Sequence, residues 1–140
     1  GVIMINFGSS FVSKEAGEWR RGLSAARKAL IEKEGEDSPK LKNFEEAYRK
    51  EVPYPYSTLD EVLDHIDHVV KLIGVEHVGI GSDYDGVGDS LPIGLKDVAS
   101  FPNLVQGLLD RGYSRTDIEK ILSGNLLRVW QQVEDYAAAH

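Results

Sequence analysis

An α/β fold organised around a parallel βαβ unit is predicted by three features of this 140-residue sequence. Two short apolar runs, Val2-Ile3-Met4-Ile5-Asn6-Phe7 and Val78-Gly79-Ile80-Gly81, lack the polar alternation of half-exposed strands and read as strands buried on both faces. Between them Leu59, Val62, Leu63, Ile66, Val69, Val70 and Ile73 recur with helical period, as a crossover helix requires. The second run then enters Ser82-Asp83-Tyr84-Asp85-Gly86, which delivers carboxylates to the point where a strand stops pairing. In α/β proteins that is where active sites lie.

The elements follow in order. A first strand over residues 2–7 ends in the polar turn Gly8-Ser9-Ser10, and from Ser13 to about Gly35 Trp19, Leu23, Ala26 and Leu30 mark a charged helix. Glu34-Gly35-Glu36-Asp37-Ser38-Pro39 breaks it, and a second charged helix is expected from Lys40 to Lys50. Pro53-Tyr54-Pro55-Tyr56 forces an extended link, because a residue before proline is pushed out of the α region. Residues 9–57 therefore read as a charged helical insert between a strand and its crossover helix.

Thr58 and Glu61 form a capping box at the start of that helix, and Gly74 stops it. A strand over 77–82 follows, completing a unit whose crossover is right-handed. After a loop over 84–101, helices are expected near 102–111, 115–122 and 125–137, marked by Pro102, Gly112, Ser114 and a junction at Gly124. Two buried parallel strands have few partners, so their sheet is expected to continue elsewhere. With Gly1 one residue before a core strand, residues 1–140 are expected to form a single partial domain, the C-terminal part of a larger α/β protein.

Composition narrows the function. At 41% hydrophobic residues the chain should form one soluble, globular core, and no apolar run reaches the length of a membrane span. The absence of cysteine excludes disulfides and thiolate metal sites but suits a cytoplasmic, periplasmic or secreted protein equally. The net charge of -7 is uneven: residues 14–52 carry ten basic and nine acidic side chains, whereas 60–97 carry nine acidic against Lys71 and Lys96. Such a field disfavours nucleic acid and anionic membranes and suits a divalent cation or a cationic group on a substrate; a solvated acidic face gives the same pattern.

Asp83 and Asp85 bracket Tyr84 and, in an extended chain, would point to one side. A carboxylate there can move protons between a metal-bound water and a leaving amine, or Asp83 can cap the next turn while Asp85 makes an Asx turn before Gly86. A calcium loop fails, because Val87 and Gly94 stand where oxygen ligands are needed. His65 and His68 diverge on the helix, so packing or surface roles suit them better than metal ligation. No serine elbow or phosphate loop is present. Residues 110–129 have a superficial helix-turn-helix pattern, but residues 102–140 carry four basic and five acidic side chains, a poor complement to DNA.

The ordered set Val2-Ile3-Met4-Ile5-Asn6-Phe7, Asp64-His65-Ile66-Asp67-His68, His77-Val78-Gly79-Ile80-Gly81-Ser82-Asp83-Tyr84-Asp85-Gly86 and Gly124-Asn125-Leu126-Leu127-Arg128-Val129-Trp130 resembles the renal (membrane) dipeptidase family of zinc metallopeptidases. The resemblance implies a (β/α)8 TIM-type barrel, of which this chain supplies the C-terminal portion, the last two strands and closing helices. It implies hydrolysis of dipeptides at a two-zinc centre. Asp83 matches the family's acidic residue at the end of the final strand, which handles the proton of the metal-bridging water and meets the substrate's free amine. Asn6, Phe7 and Gly8 would line the pocket, with Tyr84 and Asp85 as secondary candidates. The family's zinc ligands all precede Gly1 in the resemblance, so no metal ligand is assigned here. The isolated 140 residues are expected to be catalytically incomplete, with the rest of the barrel as their partner and a homodimer as a further expectation. A non-catalytic barrel fragment acting as an interaction module is the alternative.

Overall fold

A computed structural model describes residues 1–140. Strands β1 (Ile3–Ile5) and β2 (Val78–Ile80) pair in parallel, with Ile3 opposite Val78, Met4 opposite Gly79 and Ile5 opposite Ile80. Backbone pairing continues beyond them, from Gly81 N–H to the Ile5 carbonyl at 2.9 Å and from Phe7 N–H to the Ser82 carbonyl at 3.3 Å. Because side chains alternate, Ile5, Phe7 and Val78 enter the core on one face while Met4, Gly79 and Gly81 share the other. A methyl on Gly79 would lie 2.6 Å from the Met4 sulfur, so glycine there makes room for the methionine.

Full burial of the first strand does not hold. Ile3 and Met4 are 48% and 39% exposed, because β1 has β2 as its one partner in a two-stranded sheet.

The chain leaves β1 through a short helix, α1 (Ser9–Val12), where a polar turn was expected. Ser13 then caps the long helix α2 (Lys14–Glu34), its hydroxyl accepting from Ala16 N–H. The second charged helix is split into a 3-10 turn, Pro39–Asn43, and α3 (Phe44–Glu51), with proline pre-set for the turn. Both ends of this excursion meet: the buried Ser9 hydroxyl accepts from Ser57 N–H at 3.1 Å and from the Ser57 hydroxyl at 2.9 Å.

The crossover helix α4 (Leu59–Ile73) has the capping box of Thr58 and Glu61 and ends at Gly74, whose φ is 94°. Val62, Leu63, Ile66 and Val69 are buried against the sheet, whereas Ile73, the last member of the apolar stripe, is 48% exposed. Fifteen helical residues outrun strands of three. Helix α5 (Phe101–Asp110) packs Leu104 and Leu108 into the same core.

The largest departure lies at the end of the chain. Helices α6 (Arg115–Glu119) and α7 (Asn125–Ala139) are not separated at Gly124 but joined through a π-helical turn, Lys120–Gly124. Gly124 is right-handed helical at φ -57°, and the buried Asn125 carboxamide donates to the carbonyls of Val75 and Val78 at 2.7 and 2.8 Å. Those bonds fasten the helical run to the start of β2, and the turn expected at Ser123-Gly124-Asn125 is absent. No helix is long and apolar enough to cross a membrane.

Candidate active site at the end of β2

Asp83 follows β2 and is the one non-glycine residue with positive φ, at 64°. Aspartate tolerates this left-handed region better than most side chains, although it still carries a steric cost. The conformation ends the extended path, so Asp83 and Asp85 do not share a side as expected for a strand. Asp83 lines a cleft; Asp85 is exposed and forms no hydrogen bond or ion pair.

The Asp83 carboxylate is oriented from the neighbouring strand. Gly8 N–H donates to Asn6 Oδ1 at 2.7 Å, which fixes the carboxamide, and Asn6 Nδ2 donates to Asp83 Oδ2 at 2.8 Å. The other oxygen lies against Gly86, where any Cβ would overlap it. Gly86 N–H also donates to the Asp83 backbone carbonyl at 3.1 Å, closing a turn that the Asp83 side chain does not cap. A side chain at position 86 would therefore force the carboxylate to shift.

Phe7 sits behind the site instead of lining it. Its side chain has 0% exposure and packs edge-on against Tyr84 at 5.7 Å, with Phe101 at 6.3 Å. Tyr84 is likewise part of this support, and burial together with the charge of Asp97 raises the pKa of its unpartnered hydroxyl. Of the three residues expected to line the pocket from the end of β1, none borders the cleft: Asn6 bonds the carboxylate, Gly8 holds Asn6, and Phe7 is buried beneath.

The cleft itself, about 290 Å³, is bounded on one side by Asp83, Gly86, Val87 and Ser90. The opposite wall comes from the charged excursion: Phe11, Trp19, Arg20, Glu45, Arg49 and Tyr54. Trp19 anchors this wall, its indole N–H donating to the Val52 carbonyl at 2.8 Å. Arg49 lies 5.2 Å from the Trp19 ring and 4.7 Å from the Tyr54 ring, and it grips Glu45 Oε1 through Nε at 3.1 Å and Nη2 at 3.0 Å. Trp19 within a charged helix was the one sequence signal that these residues reach Asp83, since all of α4 and β2 lies between the insert and that residue.

The loop after Asp83 is tied down. Ser90 accepts from Ser9 N–H at 2.8 Å, and Ile93 exchanges backbone bonds with Ser57 and Leu59 at 2.8 and 3.0 Å. The Tyr56 hydroxyl donates to Asp89 at 2.6 Å; this bond is the chief reason the Asp89 carboxyl lies below its ordinary range, with Lys96 and Arg49 adding to it.

No three histidine or acidic side chains converge on a point that could hold a metal ion. His65 Nε2 lies 3.0 Å from the Val12 carbonyl, a packing role, and the acids of the Asp83–Asp89 loop do not form a calcium cage. These 140 residues do not by themselves fit a metal centre.

The chain is 52% identical over 81 residues to dipeptidase ataJ of Aspergillus terreus, covering 58% of this chain and 20% of that protein. It is 46% identical over 79 residues to dipeptidase 3 of Mus musculus, covering 56% of this chain and 16% of that protein. The crystal structure of the probable dipeptidase PvdM from Pseudomonas aeruginosa superposes with a TM-score of 0.70 at 28% identity, over 96% of this chain and 38% of that one. The chain thus spans a fifth or less of the curated relatives' length. The model of the membrane dipeptidase family, peptidase family M19, matches residues 1–140, and the chain belongs to that family.

Proposed function

We propose that this chain forms the C-terminal portion of a (β/α)8 barrel, contributing its last two strands and closing helices to a zinc-dependent dipeptidase. The observation that carries the reading is the Asp83 carboxylate, held at the end of a parallel strand by the neutral Asn6 amide and bordering a cleft. Family membership and the exposed outer strand β1 support it, the latter offering an edge for the remainder of the sheet.

In this reading Asp83 receives the free amino group of a dipeptide, since a carboxylate with only a neutral partner is suited to an ammonium. In the same reading this carboxylate accepts a proton from the attacking water and returns it to the leaving nitrogen. Asn6 and Gly8 hold its orientation, and Phe7 and Tyr84 keep the strand ends rigid. The zinc ions would be held by the remainder of the barrel, as the family resemblance implies.

Asp83→Asn in the complete enzyme is expected to lower kcat by about a hundredfold or more while the zinc content stays the same. Unchanged turnover would remove Asp83 from the mechanism.

A further inference from the structure

The cleft beside Asp83 carries four charged side chains, and two of them are already committed to each other. Glu45 and Arg49 form a two-bond pair, and Arg49 is further held by Trp19 and Tyr54. Asp83 has the neutral Asn6 as its side-chain partner. Arg20 forms no ion pair with any carboxylate; its contacts are a 3.4 Å bond from Nη1 to the Ser10 hydroxyl and the Phe11 ring at 5.6 Å. The cleft therefore presents one uncommitted carboxylate and one uncommitted guanidinium.

Resting on the dipeptidase reading, we infer that Arg20 selects dipeptides whose N-terminal residue bears an acidic side chain. With the amine on Asp83, the α-carbon that carries it also carries the side chain. With the scissile carbonyl leaving that carbon toward the reaction centre, the cleft that Asp83 shares with Arg20 is open to the side chain. A guanidinium matches a carboxylate with two parallel N–H bonds, and an aromatic face such as Phe11 suits the aliphatic stem. About 290 Å³ of space admits a glutamyl side chain. A lysyl side chain would instead meet Arg20 as a like charge.

The test compares Glu-Ala with its neutral isostere Gln-Ala and with Lys-Ala, using the complete zinc-loaded enzyme. Wild type is expected to favour Glu-Ala over Gln-Ala by roughly tenfold in kcat/KM, the scale of one hydrogen-bonded charge pair. Arg20→Gln should bring that ratio close to one, and Arg20→Glu should invert the order of Glu-Ala and Lys-Ala. Each ratio is measured within one preparation, so a change in the folded fraction cancels. Calorimetric titration of the metal-free enzyme with Glu-Ala and Gln-Ala should give the same order of Kd. Equal rates for Glu-Ala and Gln-Ala in wild type, or a preference that survives Arg20→Gln, would overturn the inference alone. Failure to cleave any of the three would overturn the dipeptidase reading and this inference with it.

Discussion

Asp67, on a helix, and Asp83, just after a strand, are both acids at positions the sequence marks, yet their surroundings differ in kind. Asp67, on α4, has both oxygens engaged: the Tyr113 hydroxyl donates to one at 2.6 Å and Arg111 Nη1 to the other at 2.7 Å. Arg111 also reaches Asp64 at 2.7 Å and the Asp60 carbonyl at 3.1 Å, so one guanidinium fastens the end of α5 along α4. Asp83 has a single neutral donor and opens onto a cleft. A carboxylate neutralised by its own fold is a strut, whereas one oriented without being neutralised is available to a ligand. The same distinction separates Arg49 from Arg20 on the opposite wall.

Substitutions on either side sharpen this contrast. The largest effect is expected from Asp83→Asn, which should remove most turnover and leave the melting temperature near that of wild type. Arg111→Ala should do the reverse, lowering stability by about 2 kcal/mol in urea denaturation, the cost of leaving charged hydrogen-bond partners unpaired, with kcat unaltered. Asn6→Ala lies between them: the carboxylate remains but loses its orientation, and kcat should fall about tenfold with little loss of stability. A stability loss as large as that of Arg111→Ala would instead make Asn6 a strut.

The smallest effect is one of pH. Burial raises the Asp67 carboxyl, but its bonds from Tyr113 and Arg111 outweigh this and hold it below the ordinary range. A depressed folded value means that the unfolded chain binds the proton more readily. The stabilisation is therefore present above the unfolded value of about 4 and is lost as pH falls through the lower folded value. Acid denaturation curves should show this loss in wild type and a smaller one in Arg111→Ala.

Legibility of the fold followed the range of the interactions involved. The capping box of Thr58 and Glu61, the stop at Gly74 and the stripe of Val62, Leu63, Ile66 and Val69 are local, and the structure shows each where the pattern placed it. Gly124 misled because a glycine and a serine before an asparagine resemble a turn, while the buried bonds of Asn125 to Val75 and Val78 span about fifty residues and favour continuous helix. The position of Asp83 at the end of a strand was legible in the same way. The cleft wall was not, because bringing Trp19, Arg20 and Arg49 to that carboxylate depends on Ser9 and Ser57 meeting across the whole excursion. The positive φ of Asp83 is likewise a tertiary outcome, visible in sequence only as a carboxylate three residues before a glycine.

Blocking the substrate's amine tests the role of Asp83 most directly. Ala-Ala and N-acetyl-Ala-Ala should be compared by kcat/KM in the complete zinc-loaded enzyme and in its Asp83→Asn variant. If Asp83 receives the free amine, wild type should reject the acetylated substrate by at least about a hundredfold and the variant should lose most of that discrimination. The same discrimination in both proteins would contradict the account.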